Sequence, residues 1–386
     1  MDPLEQVRRY HREGIEFNYD SEWQNWVNLE SQKRLVGREP LASYPGNRLI
    51  FGSRVALLFF YWDVQQATMF GRDMCQTAFD LRVLHLPCEE FLWNADSPHE
   101  WVGYLDGQQE HPSFLETLRI FLDSKRQFPV LSPLGAMFIL HGLMSVGYDL
   151  YRRPSPVGPS PEESAAKRTR LLAAYEKWAT YYEVNVSQHL TQSCNNKNMV
   201  LYHAAYVSLH TNIHNLTTVA GDTRAFKRGP ERAPERVDYY RAKAELQQWA
   251  GTGSAQLATW HAVQILVRSP SRAQVYLEQF HVPWCMYVAT LVCWAYGQFS
   301  PPVGPGPTPE VSDDEVIWDA HQDMRSYLQQ MSVENWQDVP HVRGLRRTAG
   351  LMAVVKSTLE GVRWGLTHES VDVLKRLNAS RTIKGV

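Results

Sequence analysis

Two segments of the chain carry apolar side chains on nearly every face, and they limit what the sequence can fold into. Residues 55–70 read VALLFFYWDVQQATMF, in which Asp63, Gln65 and Gln66 are the main polar interruptions. A helix of this kind is buried among other helices. The longest apolar run, residues 282–296, has 15 residues, whereas a membrane span needs roughly 18 to 20. The chain is therefore expected to bury these segments within the protein and not in a membrane.

Helical periodicity continues along the rest of the chain. No run of alternating apolar and polar residues bounded by turn residues predicts a strand. The fold class that follows is all-α, an irregular multi-helix array. Beyond residues 55–70, helices are predicted at 113–126, 133–150, 162–192, 198–217, 235–250, 254–268, 271–298, 312–330, 341–361 and 368–377.

Three interruptions rich in turn residues separate these helices. Residues 152–164 and 300–310 are rich in Pro and Gly, so both are predicted to be exposed loops. Residues 37–54 form a turn-rich insert between two strongly helical segments. Similar helices flank each break, which favours loops within a domain over linkers between domains. The whole chain, residues 1–386, is therefore predicted to be a single α-helical domain.

The composition excludes several classes of protein. The chain has 39 Lys and Arg residues against 41 Asp and Glu residues, so its surface as a whole is not built to bind nucleic acid. Aromatic residues make up 12% of the chain, which is too much apolar surface for a disordered protein. The five cysteines show no C-x-x-C pairing, and the charged start of the sequence shows no signal peptide. These features predict a soluble intracellular protein with free thiols.

The sequence contains no convincing catalytic or metal-binding constellation. His203, His210 and His214 recur at helical spacing, which would suit a metal site, but polar packing between helices is the favoured interpretation. Residues 141–147 resemble a nucleophile elbow without its G-x-S-x-G spacing, and residues 251–255 lack the lysine of a phosphate-binding loop. We therefore predict no catalytic residue and no metal ligand. Cofactor-binding residues are unknown at this stage.

Two short clusters of basic residues admit two interpretations. Residues 165–170 read AAKRTR and residues 341–347 read HVRGLRR. Such clusters serve as nuclear localisation signals or form solvated faces of helices, and the second interpretation is favoured because short clusters arise by chance. The sequence shows no zinc finger, zinc cluster or basic zipper. We therefore expect no DNA-reading element in this chain.

Several motifs, taken in order along the chain, together resemble one family. The sequence reads W-x-x-W-V before ESQKRL, then FFYWDVQ, then LRVLHLPC and LWNA, and later YHAAYVSLH, ATWHA and GVRWGL. This order is similar to that of the fungal-specific transcription factor domain, the α-helical regulatory region (middle homology region) of fungal regulators. The later motifs are most similar to the branch attached to two-Cys two-His zinc fingers. The motif residues are Trp23, Trp26, Glu30, Arg34, Asp63, Gln65, Pro87, Trp93, His203, His210, Trp260 and Trp364.

The resemblance implies a structural role for these residues. Trp23 and Trp26 would anchor a helix in the core, while Glu30 and Arg34 would form an ion pair one helical turn apart. Pro87 would end a helix, because proline lacks a backbone donor and restrains the residue before it. The family pattern lacks the insert at residues 37–54, which is either retained intron sequence or a loop specific to this lineage.

The resemblance also implies a function. The chain would be the regulatory domain of a nuclear transcription factor that controls RNA polymerase II genes of a particular pathway, for example a secondary-metabolite cluster. Its partners would be the transcription machinery or a homologous regulator, a small-molecule inducer, and DNA only through a zinc module that this chain does not contain. We expect no cofactor in the chain itself, no membrane partner and no enzymatic activity.

A different class of protein stays open as the alternative. An all-α enzyme or small-molecule-binding protein could line an apolar pocket with the aromatic-rich segments at 55–70 and 271–298. Such a protein would bring titratable residues together in a cleft, for example His203, His210 and His214 with an acid.

Overall fold

The computed structural model describes residues 45–70, 73–87, 112–123, 127–152, 161–221, 236–269, 281–301, 318–342, 344–362 and 365–382. Within these ranges the regular elements are helices, and β pairing is limited to an isolated antiparallel bridge between His85 and Ser113. The predicted all-α fold class is therefore confirmed.

The α-helices follow one another in a simple order, with short 3-10 helices at Ser187–His189 and Trp336–His341. They are α1 (Pro45–Phe70), α2 (Phe114–Leu122), α3 (Pro133–Arg152), α4 (Pro161–Asn185), α5 (Gln192–His210), α6 (Ile213–Ala220), α7 (Arg236–Ala250), α8 (Gly253–Arg268), α9 (His281–Phe299), α10 (Ala320–Met331), α11 (Ala349–Glu360) and α12 (Gly365–Thr382).

The described residues form two compact units. Unit 1 contains those up to Val64 and those of Asp73–Tyr182, and unit 2 contains those of Gln65–Arg72 and from Glu183 onwards. Unit 1 therefore holds α2, α3 and most of α1 and α4, while unit 2 holds α5 to α12. That the whole chain acts as a single domain stays a prediction.

Unit 1 is held together by aromatic side chains of α4 whose polar atoms are satisfied. The Trp178 side chain is fully buried, and its Nε1 donates a hydrogen bond of 2.7 Å to the carbonyl oxygen of Ala136 on α3. The Tyr181 hydroxyl donates to the carbonyl oxygen of Pro129 at 3.0 Å and accepts from the N–H of Leu131 at 2.9 Å. Buried Trp and Tyr normally find such partners. These bonds attach α4 to α3 and to the segment that leads into α3.

Unit 2 is built around α9, which is buried from His281 to Gly297. Helix α9 packs against α5 and α8, and α8 also packs against α5. The predicted burial of this apolar segment is confirmed, although residues 271–280 lie outside the described part of the chain. No helix in the described ranges is long and apolar enough to span a membrane.

One predicted boundary was wrong because proline was treated as a helix breaker. Helix α1 begins at Pro45, so the second half of the 37–54 insert is helical. Helix α4 begins at Pro161, within one residue of the start of the helix predicted at 162–192, and includes the end of the predicted 152–164 loop. Proline is well suited to the first turn of a helix, where its missing N–H would have no intrahelical partner. Residues 37–44 and 153–160 lie outside the described residues, as do residues 302–310 of the other predicted loop.

Two long predicted helices are each interrupted by a polar residue that caps the next helix. The helix predicted at 162–192 ends at Asn185, and α5 begins behind Thr191, whose side chain accepts from the Cys194 N–H. The helix predicted at 198–217 is divided by Asn212, whose side chain accepts from the Asn215 N–H at the start of α6. Such local bonds compete with continued helix.

The prediction that Pro87 ends a helix was also wrong. Residues 84–87 are extended, and the N–H of Leu86 donates to the carbonyl oxygen of Pro112 at 2.9 Å. The Pro87 carbonyl oxygen accepts a hydrogen bond of 3.2 Å from the Ser132 hydroxyl. Proline is suited to extended backbone as well as to a helix end, so sequence alone could not distinguish the two.

A close backbone contact at Gly297 gives a testable prediction. A Cβ atom at Gly297 would lie 2.6 Å from the carbonyl oxygen of Leu345 and 3.3 Å from the Cα of Arg346. Replacing Gly297 with Ala should therefore lower the free energy of unfolding by about 1–3 kcal/mol, because backbone must move to make room. Urea unfolding measures the change. The matched control is Gly251→Ala, whose Cβ would have its nearest neighbour at 3.6 Å, and an equal effect of both substitutions would contradict the prediction.

Candidate functional site

A pair of buried histidines lies where α5 packs on α8. His203 and His261 are 3% and 4% exposed, and their Nδ1 atoms are 2.8 Å apart. A hydrogen bond between two imidazole nitrogens requires that one donates and the other accepts. The two rings therefore hold opposite tautomers, one with its proton on Nδ1 and the other with its proton on Nε2.

Aromatic rings enclose this pair. The Tyr206 ring stacks on the His261 ring at a centroid distance of 4.0 Å and lies parallel to the His210 ring at 6.2 Å. The Trp260 ring meets the His261 and His203 rings edge-on, at 4.9 Å and 6.1 Å. Helix α5 supplies three of the five rings, at successive turns, and α8 supplies the other two, from adjacent residues. We call this set the histidine cluster.

Hydrogen bonds to the backbone fix the edges of the cluster. Trp249 Nε1 donates to the carbonyl oxygen of His210 at 2.7 Å, and Trp260 Nε1 donates to that of Val333 at 2.8 Å. The His210 Nδ1 atom lies 3.4 Å from the Ser254 hydroxyl oxygen. His203, His210 and Trp260 thus contact side chains and backbone of neighbouring elements, and their role in packing stays a prediction.

Burial keeps the central histidines neutral. Removal from water lowers the pKa of both His203 and His261 well below its ordinary value. The His261 imidazole lowers the pKa of His203 further, and the His210 imidazole lowers that of His261. The Arg268 guanidinium lowers both pKa values, since a second positive charge nearby is repelled. The His203–His261 pair is therefore an uncharged part of the core near neutral pH.

The arrangement differs from the metal site that the spacing of His203, His210 and His214 would suit. His214 is exposed and belongs to α6, because the predicted continuous helix breaks at Asn212. Among the described residues no group of three His, Cys, Asp or Glu side chains could hold a metal ion. Sequence reasoning assigned no role to His261, although its position between Trp260 and Ala262 on an apolar helix signals burial.

The motif residue Asp63 connects α1 to the segment that follows it. Its Oδ2 atom accepts hydrogen bonds of 2.8 Å from the N–H groups of both Cys75 and Gln76. Burial raises the pKa of the carboxyl group, and the two backbone hydrogen bonds oppose that rise. Gln65, two positions further along α1, is also buried. Asp63 thus anchors the start of the 73–87 segment.

Removing this anchor should destabilise the protein. Asp63→Ala leaves two backbone N–H groups without their acceptor, so the free energy of unfolding should fall by about 2 kcal/mol. Asp63→Asn keeps one acceptor oxygen and should cost less. Thermal unfolding followed by circular dichroism measures both, with the exposed Asp372→Ala as control. The anchoring role would be refuted if Asp63→Ala unfolded like the control.

Six of the motif residues lie outside the described part of the chain. Their predicted structural roles therefore stay predictions. They are Trp23, Trp26, Glu30, Arg34, Trp93 and Trp364.

A cavity of about 1020 Å³ lies in unit 1. Residues of α2, α3 and α4 line it, together with residues from the 73–87 segment. Neither of the two aromatic-rich segments that were predicted to line a pocket contributes to this lining. The α9 part of the second segment is instead buried in the core of unit 2.

The described residues thus define a helical scaffold whose buried polar groups serve packing. Residues 47–180 match the sequence profile of the fungal specific transcription factor domain. Over this range the chain is therefore similar to that domain, which confirms the resemblance read from its motifs.

Curated relatives extend the similarity over most of the chain. A nicotinate catabolism cluster-specific transcription factor of Emericella nidulans is 29% identical over 345 residues, which cover 84% of this chain and 38% of the relative. Two proteins of Schizosaccharomyces pombe also match over 92% of this chain. These are zinc finger protein klf1, 28% identical with 43% of its length covered, and zinc finger protein zas1, 23% identical with 38% covered.

The chain spans about two fifths of the length of these relatives, between 38% and 43%. No solved structure gives a significant match.

Proposed function

We propose that this chain is the regulatory part of a fungal transcription factor that controls RNA polymerase II genes of one pathway. The observation that carries the proposal is the alignment of 84% to 92% of the chain with three proteins, one named as a cluster-specific transcription factor and two as zinc finger proteins. The match to the fungal transcription factor domain supports it independently. Control of a catabolic or secondary-metabolite gene cluster is the specific form that we propose.

DNA contact is assigned to a zinc module outside these residues. Two relatives are named for zinc fingers, and each extends well beyond the aligned region. The balance of 39 basic against 41 acidic residues supports this division, since a phosphate-binding surface needs an excess of Lys and Arg. On this proposal the chain acts in the nucleus, with the transcription machinery or a homologous regulator as partner.

Regulation requires that an input change the balance between two states of the domain. The histidine cluster is tightly packed and is suited to holding unit 2 in one arrangement. The cavity of unit 1, which opens between three helices, is better suited to receiving an input. Unit 1 is accordingly proposed as the sensing part and unit 2 as the scaffold.

A fusion experiment tests the proposal. The 386-residue chain is joined to an unrelated bacterial DNA-binding domain, and a reporter gene with the matching operator is measured in a fungal host. We expect reporter expression to change at least severalfold relative to the DNA-binding domain alone. The matched control is the same fusion carrying Trp178→Ala, which disrupts the core of unit 1. A folded fusion that leaves the reporter unchanged would contradict the regulatory function.

Deletion of the gene tests the specific form of the proposal. Transcript profiling of the deletion strain should show altered expression of a coherent set of pathway genes. Changes scattered over unrelated pathways would refute pathway-specific control while leaving the regulatory function itself intact.

A further inference from the structure

The cavity of unit 1 combines an apolar lining with a positively charged rim. Its apolar side chains come from all three helices, and most are half-buried. Only Leu171 is fully buried, at 1% exposure. Apolar surface that remains accessible in a concave site is the usual lining of a small-molecule pocket. The helical apolar residues are Leu115, Ile120, Leu122, Val146, Leu150 and Leu171.

Four basic side chains line the same cavity, and they come from different elements. Arg82 belongs to the 73–87 segment, Arg119 to the last turn of α2, and Lys167 and Arg170 to α4. The cluster AAKRTR, ambiguous in the sequence, therefore places two of its basic residues at the cavity. Basic residues distant in sequence thus converge at one site, where all four are exposed and accessible to a ligand.

Two of these cations are held in place by the protein. The Arg170 Nε atom donates a hydrogen bond of 2.8 Å to the carbonyl oxygen of Leu122, across from α4 to α2. The Arg82 guanidinium carbon lies 4.9 Å from the centre of the Phe79 ring, the geometry of a cation–π contact. Because each contact uses only part of the guanidinium, other N–H groups can still bind an anion.

The acids that line the cavity offset only part of this charge. Glu116 and Asp123 are its acidic lining residues, so the lining carries a formal excess of two positive charges (four basic minus two acidic). We propose that this cavity binds a small molecule with an apolar body and one or two carboxylate groups. That this ligand acts as an effector of transcription rests on the proposed function, whereas the binding of the ligand to the cavity does not.

The dimensions and charge favour a small molecule over a strongly acidic peptide. Pockets for small molecules have volumes of roughly 300–1,000 Å³, and this cavity, which is partly open to solvent, has a volume of about 1020 Å³. Glu116 and Asp123 would repel a chain that carries many carboxylates. A single carboxylate can instead contact the cations while its apolar part covers the aliphatic lining.

Pyrenebutyrate, a fluorescent apolar carboxylate, is the probe that tests this proposal. Its binding to the purified chain is followed by fluorescence anisotropy, in parallel with its uncharged methyl ester. We expect the acid to bind at least about tenfold more tightly than the ester, a difference of about 1.4 kcal/mol. Affinity of the acid should also fall with added salt, as expected of an exposed charge pair.

Substitutions with matched controls locate the binding. Arg119→Gln, Lys167→Gln and Arg170→Gln should each weaken binding of the acid severalfold and leave the ester unaffected. Arg325→Gln is the control, because Arg325 is an exposed helical arginine whose Nε also donates to a backbone carbonyl but does not line the cavity. Leu150→Glu should abolish binding of both probes, and Val267→Glu, at an exposed apolar site on α8, should have no effect. Thermal unfolding establishes that each variant is folded.

Three outcomes would overturn the proposal. The first is equal affinity of the wild-type chain for the acid and the ester. The second is an unchanged affinity for the acid in all three charge variants, each of them folded. The third is binding of an acidic decapeptide in place of pyrenebutyrate. If the chain did not bind pyrenebutyrate but the fusion still changed reporter expression, the proposal for the cavity would fail and the regulatory function would stand. Binding without any reporter response would refute the regulatory function alone.

Discussion

Acidification from about pH 7 to about pH 5 should lower the free energy of unfolding by several kcal/mol, because buried histidines resist protonation. Burial lowers the pKa of His281 to about 4 and lowers those of His203 and His261 well below their ordinary value of 6.5. In the unfolded chain all three bind protons once the pH falls below about 6.5. The unfolded state then holds more protons than the folded state, so stability is present above that pH and is lost below it.

The magnitude follows from the number of protons involved. Each histidine that stays neutral in the fold costs about 1.4 kcal/mol per pH unit below its unfolded pKa, so three together contribute on the order of 5 kcal/mol between about pH 7 and about pH 5. Urea unfolding at a series of pH values measures the total. Hydrogen exchange read by mass spectrometry should localise the loss to α5, α8 and α9, the helices that carry these residues.

Substitution at His281 isolates one share of this effect. His281 Nε2 lies 3.2 Å from the carbonyl oxygen of Lys197 and donates to it when the ring is neutral. His281→Gln can keep an N–H donor and should flatten the pH dependence while lowering stability near neutral pH. Thr290→Val, a buried polar change on the same helix, should lower stability by a similar amount at every pH. A wild-type stability that did not fall on acidification would refute the burial of neutral histidines.

Replacing Trp178 with Ala should cost about 3–5 kcal/mol, the largest effect that we expect of a single substitution in unit 1. The indole is fully buried and stacks on Tyr182 at a centroid distance of 4.8 Å. Its Nε1 bond to Ala136 adds about 1 kcal/mol to the loss. The change therefore removes both the packing and the hydrogen bond that attach α4 to α3.

Two further variants separate these contributions. Trp178→Phe retains a ring without the N–H donor and should cost roughly half as much or less. Trp318→Ala removes an indole that is 57% exposed and should change stability by less than about 0.5 kcal/mol. Thermal unfolding compares the three variants, and equal melting temperatures of Trp178→Ala and Trp318→Ala would show that α4 is not anchored through its tryptophan.

The predicted helices were correct wherever the apolar pattern was strong, and wrong where a polar or proline residue decided a boundary. Helix α8 begins at Gly253 and ends at Arg268, within one residue of the predicted 254–268. By contrast, Asn212 divides a predicted helix, and Pro45 begins a helix in a segment predicted to be rich in turns. Apolar periodicity reports burial of a face, whereas the position of a cap depends on one local side-chain bond.

The candidate sites show the same division between local pattern and tertiary structure. Spacing along α5 placed His203 and His210 on one face of a helix, but their partner His261 is 58 residues away in sequence from His203. Asp63 was recognised from its motif, yet the N–H groups that it binds could not be inferred from spacing.

From the sequence alone, apolar periodicity and the scarcity of alternating runs predicted an all-α protein, and the order of its motifs indicated its similarity to the fungal specific transcription factor domain. The fold class and the order of motifs depend on residue type and local spacing, and both can be read directly from the sequence. Only the tertiary structure decided that two histidines are joined by a hydrogen bond in the core and that Arg82, Arg119, Lys167 and Arg170 line one cavity. The physical reason is that a pKa, a hydrogen bond or a field of like charges depends on distances between residues far apart in the chain, and helix packing sets those distances.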